Sequence, residues 1–267
     1  MLIYIQGVYY VMLTHEEYLS YIKRFNNVYK YLCSKSANSE KVAYNICKLR
    51  DYYPDRMTPI LEKAGFLFIE GSESVFDCLE EGNHDLGLFT KEGRFLLANR
   101  FIFPVRDMLG NTIALIGWFP DEKKYITTPS ALFSKSCLFY GLEQLASTGI
   151  GKEYFLCEGI FDTLSLRSIG FNAIAEMGII SGRVKEGMYP LFSRLIGTPD
   201  DDTEGRGVVA YDKWKLPSNS SYMRWVSSDG DYFKDIDNVV NSFEYDDIRN
   251  EILQKLKNED RIIKINL

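Results

Sequence analysis

The chain has 267 residues, of which 46% are hydrophobic and 25% are charged. This composition is ordinary for a globular protein of one large or two small domains. The formal net charge of −6 argues against a histone-like or membrane-surface protein. It does not exclude nucleic-acid binding, because basic residues outnumber acidic ones between positions 91 and 135 and acidic residues dominate between 200 and 237. This order suggests a phosphate-binding surface and a metal-binding surface, although scattered solvated charge would give the same composition.

The five cysteines form no C-x-x-C pair, so a disulfide framework or a zinc ribbon is not expected and a reduced, cytoplasmic setting is favoured. The apolar N-terminus lacks a basic segment and a cleavage site, which argues against a signal peptide. No apolar run approaches the ~20 residues that cross a bilayer, so no transmembrane span is expected.

The first third of the sequence is predicted to be helical, beginning with a capping-box pattern from Thr14 to Glu17. Two further helices are predicted at 39–49 and from Thr58 to Gly65. The middle third predicts strands at 94–97, 100–105 and 112–118. A turn at Gly110-Asn111 is expected to join the last two strands as a hairpin.

From residue 152 onward, predicted strands and helices alternate. The strands are 153–157, 172–176, 194–198 and 222–226, and the helices are 160–168, 181–193, 203–214 and 236–255. Such alternation predicts a mostly parallel sheet flanked by helices. The fold class is therefore α/β, preceded by an α+β N-terminal subdomain that mixes helices with antiparallel strands.

Acidic residues follow three of these strands. They are Glu158, the run Asp200 to Asp202, and the pair Asp235 and Asp237. Strand ends are where α/β sheets build their sites, and carboxylates without histidine favour hard cations such as Mg²⁺. Asp200 and Asp202 can bind one cation because alternate residues of an extended segment share a side. Solvated acidic loops and ordinary helix caps remain the alternative.

Three acidic motifs carry a resemblance to a known domain. They are Glu158-Gly159-x-x-Asp162, Asp200-x-Asp202-x-x-Gly205-Arg206 and Lys234-Asp235-x-Asp237. In this order they resemble the Toprim domain shared by bacterial-type DnaG primases, topoisomerases and some nucleases.

An upstream segment narrows the resemblance to primases. Asn99-Arg100-x-x-Phe103-Pro104-Val105-Arg106-Asp107 and Gly110 are similar to the N-R-x-x-F-P-I-R-D-x-x-G strand pair of primase catalytic cores. The segment from Lys124 through Lys135 to Leu142 resembles that family's K-Y-L-N-S-P and F-x-K sequences. The likeness extends from about residue 94 to 240. It implies a DNA primase, an RNA polymerase that makes short RNA primers on single-stranded DNA from nucleoside triphosphates, with Mg²⁺ or Mn²⁺.

The resemblance also implies residue roles. The implied catalytic metal ligands are Glu158, Asp200 and Asp202, with Asp235 and Asp237 as a supporting pair. The implied contacts with template and nucleotide are Asn99, Arg100, Lys124 and Lys135, and the supporting residues are Gly159, Asp162, Gly205 and Arg206.

The sequence also departs from the family pattern. Trp118 replaces an arginine and is expected to be a packed aromatic, and Ile179 replaces a threonine. The expected regions are a basic subdomain at 1–150, a Toprim catalytic domain at 151–245 and a helix with a short tail at 246–267. Lacking the zinc ribbon and the helicase-binding domain of primases, the chain is expected to be a compact, phage-like core. A replicative helicase or a separate zinc-domain protein would then assist it.

Two alternatives remain open. The acidic residues could serve a Toprim metal-dependent nuclease, although the block at 99–142 has no purpose there. The chain could also be a catalytically degenerate primase-like protein that binds DNA or a replisome component.

Overall fold

A computed structural model describes residues 2–5, 8–11, 14–71, 86–121, 124–128, 138–177, 183–200, 214, 216–226, 233, 235–242, 245–257 and 262–266. The chain folds into two compact units. The first comprises Met1–Asn45 and Glu62–Ser134, and the second comprises Ile46–Leu61 and Lys135–Leu267. The predicted boundaries at 150 and 245 remain predictions.

In the N-terminal third, the described residues form a short hairpin and three helices. The hairpin pairs β1 (Leu2–Ile5) with β2 (Val8–Val11), and the helices are α1 (His15–Lys35), α2 (Ser39–Arg50) and α3 (Pro54–Ala64). The predicted capping box is confirmed, since the Thr14 hydroxyl accepts a hydrogen bond from the Glu17 N–H and the Glu17 carboxylate accepts one from the Thr14 N–H. Within the described residues, no helix has the length and apolar character needed to cross a membrane.

An antiparallel sheet forms the core of the first unit. In spatial order its described strands are β3 (Leu67–Phe68), β4 (Phe101–Arg106), β5 (Thr112–Phe119) and β6 (Lys124–Thr127). The apolar face of α1 packs on it, with Phe25 and Leu32 in one cluster with Ile102 and Leu115. The predicted hairpin between β4 and β5 is confirmed, and the Asp107 carboxylate closes its turn by accepting the N–H groups of residues 109 and 111.

One predicted strand of this region is wrong. Residues 94–97 lie in turns, apart from a single bridge between Phe89 and Phe95. The bridge closes a tight turn at 90–93, where the Thr90 N–H donates to the Arg94 carbonyl and the Arg94 N–H donates to the Thr90 hydroxyl. The apolar character of the segment is therefore used for side-chain packing, with Phe95 and Leu97 buried, rather than for a sheet ladder.

The second unit is built on a parallel sheet. In spatial order its five described strands are β11 (Ile262–Asn266), β10 (Ser221–Val226), β9 (Phe192–Thr198), β7 (Lys152–Cys157) and β8 (Ala173–Ala175). Alternate residues of β7 enter two different clusters, with Tyr154 and Leu156 in one and Phe155 and Cys157 in the other. Both faces of the strand are therefore buried, as a parallel sheet between helices requires. The predicted α/β class is confirmed.

The helices of this unit follow the prediction in part. They are α4 (Gln144–Thr148), α5 (Ile160–Ser168), α6 (Arg183–Glu186), α7 (Ile236–Ser242) and α8 (Tyr245–Lys255), with a 3₁₀ turn at Tyr189–Leu191. The prediction of one helix at 181–193 is wrong, since Pro190 lies in the 3₁₀ turn and β9 begins at Phe192. The single predicted helix at 236–255 contains two helices, and the helix predicted at 203–214 lies outside the described residues except for Trp214.

Gly65 ends α3 in a conformation that only glycine adopts easily, with φ of +80°. The Tyr29 hydroxyl donates a hydrogen bond to the Gly65 carbonyl at 2.8 Å, and Arg106 donates one to the Ala64 carbonyl at 3.1 Å. A Cβ atom at position 65 would lie 2.6 Å from the Arg106 guanidinium. We therefore expect Gly65→Ala to lower the free energy of unfolding by about 2–4 kcal/mol in urea titrations.

Gly93→Ala is the matched control for Gly65→Ala. Gly93 has a similar φ of +78°, but a Cβ there would meet no atom within 4 Å. It should cost about 1 kcal/mol, the backbone contribution alone. Equal losses in the two variants would show that the contacts around Gly65 contribute nothing.

Candidate active site

Glu158 and Asp200 lie at one edge of the parallel sheet. Glu158 directly follows β7, and Asp200 comes two residues after β9. The two strands are hydrogen-bonded neighbours, with Cys157 paired to Thr198. The backbone N–H of Asp200 donates to the Glu158 carboxylate at 3.4 Å. The structure thus brings together two of the three predicted ligands, while their metal-binding role stays a prediction.

The turn after β7 is held by a buried carboxyl group. The Gly159 N–H donates to Asp162 Oδ2 at 3.1 Å, and the Asp237 N–H donates to Asp162 Oδ1 at 3.3 Å. Burial raises the pKa of Asp162 well above its usual value, and neighbouring negative charges raise it further. Those charges belong to Asp200, Asp235 and Asp237. The acidic groups are therefore close enough to repel one another, and a bound cation would relieve this repulsion.

The two acids of the third motif differ in their surroundings. Asp235 caps α7, because its carboxylate accepts the Asn238 N–H at 2.8 Å. Asp237 is 4% exposed, and its carboxylate accepts hydrogen bonds from four side chains. The donors are Arg50, Tyr52, Ser165 and Asn241. Burial and the charge of Asp237 raise the pKa of Tyr52, so its hydroxyl stays protonated as a donor.

Some of the predicted site residues fall in parts of the chain that the structure does not describe. Those outside the described residues are Asp202, Gly205, Arg206 and Lys135, and for Lys124 only the backbone is described, paired with Phe119. Within the described residues no group of three histidine, cysteine or acidic side chains could hold a metal. The oxygen donors of Glu158 and Asp200 still fit a hard cation, because the crowded carboxylates are of the type that Mg²⁺ prefers.

The predicted phosphate contacts Asn99 and Arg100 precede β4 in the first unit. Asn99 has a φ of +56°, and its side-chain oxygen accepts the Gly71 N–H at 2.9 Å, so it stabilises a turn. The Arg100 guanidinium lies 5.3 Å from the centre of the Phe119 ring. Its buried Nη1 has no hydrogen-bond partner in the described part of the chain, and a phosphate oxygen would satisfy it. Trp118 is buried against Phe101, which confirms the packed aromatic.

A buried ion pair that none of the sequence motifs indicated lies at the end of β8. Lys185 Nζ lies 2.9 Å from Glu176 Oε1, and both side chains are fully buried. Lys185 also donates to the Glu176 carbonyl at 2.5 Å. Hydrogen bonding to the segment after β7 continues beyond the end of β8, because the Met177 N–H donates to the Glu158 carbonyl at 3.0 Å. A signal was present, since Glu176 is the last residue of the predicted strand 172–176, but it belongs to none of the three motifs.

Comparisons with known proteins point to one family, although no family model matches the chain. The DNA primase of Deinococcus radiodurans is 39% identical over 84 residues, which are 30% of this chain and 15% of that protein. The DNA primase of Pasteurella multocida is 35% identical over 148 residues, which are 51% of this chain and 24% of that protein. The matches therefore span between about a seventh and a quarter of these relatives' lengths.

The structural comparison covers more of the chain. The catalytic domain of a DnaG primase bound to single-stranded DNA matches 90% of this chain and 80% of its own, with a TM-score of 0.71 and 17% identity. The fold is therefore an α/β fold of the primase catalytic-core type. Together with the sequence matches, it confirms the resemblance to DnaG-type primases.

Proposed function

We propose that the chain is the catalytic core of a DnaG-type DNA primase, which synthesises short RNA primers on single-stranded DNA for replication. The observation that carries the proposal is the meeting of Glu158 and Asp200 at neighbouring strand ends of a primase-core fold. Sequence similarity to DNA primases supports the same reaction.

The proposed reaction is nucleotidyl transfer. The 3′-oxygen of the growing primer forms a bond to the α-phosphorus of the incoming nucleotide, the bond from that phosphorus to the β-phosphate oxygen breaks, and pyrophosphate leaves as the hydroxyl proton passes to solvent. Glu158, Asp200 and Asp202 would hold Mg²⁺ or Mn²⁺, with Asp235 near them. When bound, the cation lowers the pKa of the hydroxyl and neutralises charge on the leaving group.

We propose that four polar or basic residues bind phosphates of template and nucleotide. They are Asn99, Arg100, Lys124 and Lys135. Arg100 has the clearest support, because its buried Nη1 lacks a partner among the described residues. Guanidinium groups suit phosphate oxygens through directed hydrogen bonds. We also propose that the second unit is the Toprim catalytic domain. The proposed location is the cytoplasm, and the proposed partners are a replicative helicase or a separate zinc-domain protein.

Template-dependent incorporation of labelled ribonucleotides tests this function. With single-stranded DNA, four nucleoside triphosphates and Mg²⁺, the chain should make oligoribonucleotides, alone or with a helicase or zinc-domain protein added. No product should form when the template is omitted. Repeating the assay with deoxyribonucleoside triphosphates shows which of the two nucleotide types the enzyme incorporates. DNA cleavage that needs the metal but no triphosphate would indicate the nuclease. DNA binding with neither reaction would indicate a degenerate primase.

A further inference from the structure

A short segment from the N-terminal third of the sequence belongs to the second unit. Ile46–Leu61 includes the end of α2 and the start of α3, and it carries Arg50 and Tyr52. Both side chains donate to the Asp237 carboxylate, Tyr52 at 2.7 Å and 2.8 Å to the two oxygens. Arg50 also donates to the Tyr52 hydroxyl. The segment is thus attached to the acidic residue that follows β10 at the start of α7.

The Asp237 carboxylate has little capacity left for a cation. Its Oδ1 accepts from Tyr52, Ser165 and Asn241, and its Oδ2 accepts from Arg50 and Tyr52. Each carboxylate oxygen offers two lone pairs. A metal ion at Asp237 would therefore displace donors that are themselves buried or half-buried, at an energetic cost.

The same network reaches the turn that carries Glu158. The Asp237 N–H donates to Asp162, and Asp162 accepts the Gly159 N–H. Arg50 adds a second link, because its guanidinium lies 4.1 Å from the centre of the Phe161 ring in the first turn of α5. Arg50 therefore contacts the beginnings of both α5 and α7.

We propose that Asp237 is a positioning residue: held by Arg50 and Tyr52, it fixes the start of α7 and the turn after Glu158, and it is not a ligand of the catalytic cation. This inference rests on the proposed function in one respect, namely that the site binds a catalytic divalent cation. Outer groups that orient ligands typically affect metal affinity by 10- to 100-fold. Because Arg50 donates to the Asp237 carboxylate, its loss should then affect the site as much as the loss of Asp237 does.

The test compares Arg50→Met, Asp237→Asn and the double variant. Amide exchange of the peptide containing residues 158–163, and Mn²⁺ binding followed by electron paramagnetic resonance, are measured at a temperature where each variant is folded. In both single variants, the amides of residues 158–163 should exchange about tenfold faster and Mn²⁺ should bind about tenfold more weakly. The two variants should agree with each other within about threefold in each measurement. The double variant should be no worse than the poorer single variant, since both changes break one network.

Leu145→Ala is the control for general destabilisation. Leu145 is buried in a separate cluster of the same unit, so its truncation should lower the melting temperature without changing exchange at 158–163. Equal acceleration in Leu145→Ala would reduce Asp237 to a structural residue and overturn the proposal. Loss of Mn²⁺ binding in Asp237→Asn but not in Arg50→Met would identify Asp237 as a ligand and also overturn it. Neither measurement depends on primer synthesis. Failure of the proposed function would instead be seen in the nucleotide-incorporation assay.

Discussion

Asp200→Asn should reduce primer synthesis by about 100-fold or more without unfolding the protein. Asparagine keeps the backbone N–H that bonds to Glu158 and nearly the same volume, but it removes a negative charge from the proposed cation site. Losing several kcal/mol of electrostatic stabilisation in the transition state corresponds to at least this loss of rate. The melting temperature should stay equal or rise, because Asp200 is one of the charges that raise the pKa of Asp162.

The control for Asp200→Asn is Asp247→Asn. Asp247 is exposed on α8, so the same chemical change there should leave primer synthesis unchanged. The measurement is the initial rate of labelled nucleotide incorporation at saturating template, with circular dichroism to check the fold. An Asp200→Asn variant that retains more than a tenth of the rate would remove Asp200 from the metal site.

Local sequence signals predicted the elements that position Glu158. The strand before it and α5 after it match the prediction closely. Both are marked locally, because an apolar run ends just before Gly159 and a helical pattern begins just after it. Glu158 and Asp200 were predicted to belong to one site at the strand ends, and the structure brings them together there. Rules for strand ends work here because adjacent parallel strands deliver their carboxyl ends to one edge.

Elements that depend on distant partners were not predicted. The strand β11, at Ile262–Asn266, exists through parallel pairing with β10, and nothing local distinguishes it from a tail. Of the helix expected at 181–193, the described residues form only the short α6 and a 3₁₀ turn, because β9 pairs with β7 from Phe192 onward. In both cases the strand depends on pairing with a neighbour that is distant in sequence.

The surroundings of Asp237 were equally hidden from the sequence. Arg50 lies 187 positions before it, and the i, i+2 spacing of Asp235 and Asp237 suggested equivalent acids on one side. The structure instead makes Asp235 a helix cap and surrounds Asp237 with donors. Residue type and spacing predicted that acids gather here, but only the fold shows which carboxylates already have partners.

Lys185→Met should lower the free energy of unfolding by about 3–5 kcal/mol. Methionine fills similar volume, but the Glu176 carboxylate, fully buried, loses the ammonium group that lies 2.9 Å away. Removing one partner of a buried ion pair is strongly destabilising, because the remaining buried charge loses its counter-charge. Because the strand end at Glu176 adjoins the Glu158 carbonyl through Met177, primer synthesis should fall as well.

Two variants test whether this loss comes from the uncompensated charge. Lys185→Met combined with Glu176→Gln should be more stable than Lys185→Met alone, since the buried charge is gone. Lys255→Met removes a lysine from a partly exposed pair with Glu251, and it should cost less than about 0.5 kcal/mol. Urea titrations give all three values. A Lys185→Met loss no larger than that of Lys255→Met would mean that the Glu176 carboxylate is stabilised without Lys185.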